Sequence, residues 1–171
     1  MQQYREIKAR HPQAILFFRM GDFYEMFFDD AKLASRELGL TLTSRNNGAA
    51  TAVPLAGVPV KAATEYVRRL VQRGHRVAIC EQIEDPKEAK GVVRRAVIET
   101  VTPGAMLDDD LLEGSRNNFL VALAPGSPAG LAALDVSTGE FLLETVMTED
   151  LPSALARLDP KEIVVPSGSA P

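Results

Sequence analysis

The sequence predicts a mixed α/β protein in two units, residues 1–116 and 117–171. Three observations predict it. Short apolar runs such as Ala14–Phe18 and Val77–Cys80 alternate with longer stretches whose apolar residues recur at helical spacing. The stretch 105–116, with Asp108, Asp109, Asp110, Glu113 and Gly114, interrupts that pattern and reads as a passage between units. Charge also divides there: residues 1–104 carry 16 Lys and Arg against 12 Asp and Glu, and residues 105–171 carry 3 against 11.

The elements follow in order. Tyr4, Ile7 and Lys8 share one face of an opening helix that Pro12 ends. Ala14–Phe18 reads as a buried strand, and Gly21-Asp22 as a turn. A helix starts at Asp29. Asp29 and Asp30 suit the positive end of its dipole, Ala31, Ala34, Ser35 and Leu38 form its inner stripe, and Gly39 suits a left-handed cap. Leu40–Thr43 is expected as a strand and Ser44–Ala50 as a loop. The prolines and glycine of VPLAGVPV, residues 53–60, favour extended, kinked backbone. Ala63, Val67, Leu70 and Val71 mark an amphipathic helix over 62–73, which Gly74 stops. Val77–Cys80 and Val92–Val101 are expected strands on either side of the charged turn EQIEDPKEAKG, and Pro103-Gly104 breaks the second. The second unit reads as strand Phe119–Leu123, turn, strands Leu131–Val136 and Phe141–Val146, a short helix near 151–158 and strand Ile163–Val165. That is about half of a mixed sheet, too little to bury a full core.

Composition narrows the function classes. Apolar content of 46% and charged content of 25% are those of a globular protein. The polar start MQQYREIKAR is no secretory signal. The longest uncharged stretch, Asn117–Leu134, is broken by Pro125, Gly126 and Pro128, so no membrane association is expected. Cys80 is the only cysteine, which excludes an internal disulfide and points to a reducing, cytoplasmic compartment. His11 and His75 stand far apart, so no structural zinc site is expected. The basic front suits a phosphate backbone and the acidic rear does not, although uneven surface composition would give the same totals.

The segment RMGDFYEMFFDD, residues 19–30, concentrates the candidate chemistry. Its acids Asp22, Glu25, Asp29 and Asp30 have the residue types of a metal-dependent nuclease centre. Helix-start electrostatics explain Asp29 and Asp30 equally, and no histidine stands beside them in sequence to act as acid or base. Neither a G-x-S-x-G elbow nor a phosphate-binding glycine loop occurs, which disfavours an enzyme. Phe23 and Glu25, two apart in extended chain, point to one side. An exposed ring stacks on a base with little sequence preference, and an apolar wedge entering the minor groove kinks the duplex. A carboxylate beside phosphates is favourable only where it accepts a hydrogen bond from a base, and a mispaired base has a donor to spare. The alternative places Phe23 in the core and Glu25 at a solvated edge. Arg45, Lys61, Arg68 and the pair Arg94-Arg95 are candidates for phosphate contacts, which position without specifying.

At these residues the chain resembles the amino-terminal part of the MutS family of DNA mismatch-recognition proteins. FFRMGDFYEMFFDDAKLAS is similar to the family's Phe-x-Glu motif, VPLAGVPVKAATEYVRRLV to the following loop and helix, and VAICEQIEDP with VTPG to its closing strands. The resemblance implies a first domain built as a mixed β-sheet flanked by helices, residues 1–116, then a partial connector of ribonuclease-H-like fold, residues 117–171. It implies that Phe23 stacks on the mispaired base and Glu25 hydrogen-bonds to it. Met20 and Asp22 would flank the tip, Leu55 would line the adjoining groove, and Arg45 and Lys61 would contact the backbone. The implied partner is double-stranded DNA with mismatches or small loops. Dimerisation, recruitment of a downstream repair partner through the connector, and a bacterial nucleoid-associated location are implied as well. The family's ATPase region, with its ATP and magnesium, has no counterpart in these residues, so no cofactor and no catalysis are expected here. Two further readings stay open: a metal-dependent nuclease-like domain using Asp22 and Glu25, and a protein-interaction module in residues 117–171.

Overall fold

The computed structural model describes residues 1–45, 52–85, 89, 91–105 and 117–169. Most of the expected 44–50 loop, part of the charged turn after Gln82 and most of the 105–116 passage lie outside the described residues. The chain forms two compact units, Met1–Val101 and Thr102–Pro171, both mixed α/β.

The first unit is a six-stranded mixed sheet. Its strands are β1 (Ala14–Met20), β2 (Phe23–Phe27), β3 (Thr43–Arg45), β4 (Val53–Pro59), β5 (Arg76–Gln82) and β6 (Arg95–Val101), in the order β3-β4-β2-β1-β5-β6. β1 runs parallel to β5 and every other pair is antiparallel. Both faces are apolar along the central strands, as a sheet sandwiched by helices requires. On one face Leu16, Phe18, Phe27, Ala78 and Cys80 pack with Tyr4 and Ile7 of α1 (Gln2–Arg10). On the other, Ile15, Phe17, Tyr24, Met26, Ala56, Val58 and Val77 are buried. Helices α2 (Phe28–Leu38) and α3 (Ala63–Gln72) pack on each other and on strands of this sheet. Burial pushes the Cys80 thiol up to about 11.

Two strands begin later than expected. Leu40 stays tied to the end of α2, its N–H donating to Ser35 O while the Ser35 hydroxyl donates to Leu40 O. Leu42 is exposed, and strand pairing starts at Thr43, opposite Leu55. Likewise Val92 is 78% exposed, and the ladder to β5 starts at Arg95.

The second unit has strands β7 (Phe119–Ala124), β8 (Ala129–Asp135), β9 (Glu140–Val146) and β10 (Glu162–Val164), ordered β10-β7-β8-β9, with β10 parallel to β7. Helix α4 (Leu151–Leu158) sets Ala154 and Leu158 on Phe119, Val121, Leu131 and Ala133. The reverse face carries an open groove of about 760 Å³ lined by residues such as Ala122, Gly130, Ala132, Leu143 and Val164. Asp135 is fully buried where β7 and β8 meet. It accepts from the N–H of Asn118 (3.0 Å) and from the N–H (3.0 Å) and hydroxyl (2.6 Å) of Ser137. Burial alone would raise its pKa; these donors outweigh it and hold the carboxyl below the usual range. A depressed folded pKa stabilises the fold above the unfolded value and loses that contribution as pH falls through the folded one. Asp135→Asn should therefore be less stable than the parent at pH 7, with the gap closing below about pH 4. Urea titrations across that range check it; a gap independent of pH would contradict it.

Candidate nucleic-acid interface

The hairpin β1–β2 ends in the two-residue loop Gly21-Asp22. Only Gly21 takes positive φ (61°), the pattern that favours glycine at the first position of a two-residue hairpin loop. The loop is held from two sides. The Val60 N–H donates to Asp22 O (2.9 Å), tying the turn to the end of β4, and the Arg19 side chain donates from Nε to Gly21 O.

Strand alternation then sorts the motif. Phe23 and Glu25 face one side of the sheet, and Tyr24 and Met26 are buried on the other. Phe23 is 47% exposed, which rules out the reading that seals its ring in the core; Glu25 is half-buried. Met20 lies directly across from Phe23 on β1 and packs partly against the α1-side core. Asp22 is exposed at the turn. Leu55, paired with Phe27, is half-buried against the same core. Lys61 is exposed just beyond β4. Phe23, Glu25, Met20 and Leu55 therefore share one face.

Arg45 is placed differently. Its backbone pairs with Val53, at the opposite end of β4 from the Pro59 that faces Phe23. Those ends are the two termini of the seven-residue strand β4, roughly 20 Å apart.

Behind the tip sits a polar clamp that residue spacing did not announce. Arg19 pairs with Tyr24 across β1–β2, with its guanidinium 5.7 Å from the Tyr24 ring centroid. Glu81 on β5 accepts from Arg19 (3.1 Å) and from the Tyr24 hydroxyl. Burial, and then the Glu81 hydrogen bond, push the Tyr24 phenol up to about 12, so it remains a donor to Glu81 at neutral pH. The side-to-side alternation of an extended chain was the available signal for Tyr24; its partner Glu81, 57 residues away, left none.

The other candidates divide. The guanidinium of Arg95 lies over the Phe18 ring (5.0 Å) and donates to Arg19 O (2.6 Å) and Val93 O (2.7 Å), so it serves the fold where a phosphate contact was expected. Arg68 pairs with Glu65 (2.9 Å). Asp29 pairs with Lys32 (3.0 Å), while Asp30 is buried and accepts from Tyr4, Lys8 and the Leu16 N–H. Among the described residues no three His, Cys, Asp or Glu side chains gather in a group that could hold a metal ion. Among them, too, no helix is long and apolar enough to cross a membrane.

Comparison with known proteins gives these residues a context. Residues 1–110 match the family model for MutS domain I, and residues 118–171 that for MutS domain II. The chain is 50% identical over 171 residues to the DNA mismatch repair protein MutS of Pelotomaculum thermopropionicum, covering 97% of this chain and 20% of that protein. It is 54% identical over 168 residues to the MutS of Desulfatibacillum aliphaticivorans, covering 97% and 19%. Against the MutS of Rhodopseudomonas palustris (strain BisB5) it is 49% identical over 174 residues, covering 96% and 19%. The chain thus spans about one fifth of the length of these relatives.

Proposed function

The chain belongs to the MutS family, and on that premise we propose that its first unit binds mispaired duplex DNA in mismatch repair, by entering the minor groove with Phe23. The observation that carries this reading is a ring 47% exposed at a hairpin tip fastened from behind, with Glu25 on the same face. A mispair stacks and pairs weakly, so kinking it costs less than the few kcal/mol needed at a normal step. Phe23 fills the opened step and Glu25 accepts a hydrogen bond from the uncovered base edge. Met20 and Asp22 flank the tip, Leu55 lines the adjoining surface, and Lys61 and, farther along the duplex, Arg45 contact phosphates. The role is binding, with no metal or cofactor held by these residues.

Fluorescence anisotropy on a G·T duplex and its matched control tests the proposal in a full-length protein carrying these 171 residues; equal affinities would refute it. Glu25→Gln should act differently from loss of the ring. Removing a charge near phosphates leaves affinity for matched DNA unchanged or raises it by about fivefold or less, while selectivity falls. Uniform weakening on both duplexes would contradict that role.

The second unit supports a different part of the proposal. Its acidic composition disfavours a phosphate backbone, and the reverse face of its sheet exposes Phe141 and Leu143. Its proposed role is protein contact, including recruitment of a downstream repair partner in a MutS-length protein. Leu143→Lys should leave mismatch discrimination unchanged while weakening such contacts, as read by sedimentation.

A further inference from the structure

Gly57 lies on β4 directly opposite Glu25, with the Tyr24–Val58 pair between it and the Pro59–Phe23 pair. It is exposed, on the face that carries Phe23 and Glu25, between the side chains of Leu55 and Pro59. A glycine inside a strand normally needs a reason, because it weakens the strand and marks a bulge or a close approach. Two ordinary reasons fail here. The backbone of Gly57 is not in the positive-φ region, so an L-residue fits it without strain. Internal packing does not demand glycine either. A Cβ at this position would meet Tyr24 O at 3.5 Å, Phe23 Cδ1 at 3.8 Å and Glu25 Cγ at 3.9 Å, all ordinary van der Waals contacts. The missing side chain leaves a notch that opens outward and is bordered by the two side chains of the motif.

We propose that Gly57 is a specificity-determining position, its notch admitting the edge of the mispaired base between the Phe23 ring and the Glu25 side chain. This rests on the wedge reading of Phe23. A methyl group at Gly57 fits the free protein and occupies the space that the base edge needs; an isopropyl group occupies more of it. Strand preference and function should therefore move in opposite directions, since alanine and especially valine are better strand residues than glycine.

The test uses a full-length protein carrying these 171 residues, with Gly57→Ala, Gly57→Val and Phe23→Ala compared with the parent. Both glycine variants should melt no lower than the parent. Both should lose discrimination between G·T and matched duplex, by about tenfold for alanine and more for valine, as expected when a stacked base is displaced. On a duplex with an abasic site in place of the mispaired nucleotide no base edge enters the notch, and parent and glycine variants should bind alike. Unchanged discrimination in both glycine variants, with discrimination lost in Phe23→Ala, would overturn the notch and leave the wedge standing. Unchanged discrimination in Phe23→Ala as well would overturn both. A melting temperature several degrees below the parent's, or equal weakening on all three duplexes, would make the glycine a requirement of the fold and end the proposal.

Discussion

Phe23→Ala, in a full-length protein carrying this segment, should nearly abolish the preference for a G·T duplex over its matched control. An aromatic ring stacked on a base contributes about 1–3 kcal/mol, or roughly 5- to 150-fold in affinity. In the wedge reading that term is collected only where the step opens easily, so its loss falls on the mismatched duplex. Stability should hardly change, because the ring is 47% exposed and belongs to neither face's buried cluster. Phe23→Trp retains a stacking surface and should restore most of the preference. Anisotropy on the two duplexes, paired with thermal melts, checks the result. A ratio of affinities unchanged in Phe23→Ala would remove the wedge from the account.

The largest effect on stability is expected at Asp30. β2 pairs with β1 only at Phe18–Met20, so the Leu16 N–H has no ladder partner on that side. The buried Asp30 carboxylate takes its place, accepting from Leu16 N (3.1 Å), the Tyr4 hydroxyl (2.9 Å) and Lys8 Nζ (2.8 Å). One side chain thereby joins α1, β1 and the first turn of α2. Burial, with the charge of Asp30 next, holds the Tyr4 phenol far above its ordinary range and keeps it a donor. Asp30→Ala strands the Leu16 N–H and removes the charge partner of Lys8, which keeps the Ala14 carbonyl, at a cost of about 2–4 kcal/mol. Urea unfolding should show a lower midpoint with an unchanged slope. Asp30→Asn keeps an acceptor and should lose less. A loss below about 1 kcal/mol for Asp30→Ala would show that the network contributes little beyond packing.

The same aspartate marks where sequence reading stops. Helix α2 was legible from its ends: acids in the first turn and Gly39, which takes φ 72° at the cap. Dipole electrostatics explained both acids, yet only Asp29 is confined to that local role. The partners of Asp30 lie 14, 22 and 26 residues away, and no local pattern encodes them. Phe23 and Glu25 were legible because a period of two is local. Gly57 was not, because what stands opposite Glu25 depends on the β2–β4 register. Arg95 looked like its neighbour Arg94 in sequence; the Phe18 ring and two carbonyls separate their roles. Strand starts were misplaced where apolar residues continue past the point at which a partner strand exists, as at Leu42 and Val92.

Cys80 lies in the core cluster of the first unit, and its thiol ionises only in strongly alkaline solution. Alkylating reagents attack the thiolate, so this sulfur stays silent under ordinary labelling conditions. As it is the sole sulfhydryl of the 171 residues, a cysteine placed at an outward position such as Gln72 would carry a dye or spin label alone, with the native background left in place.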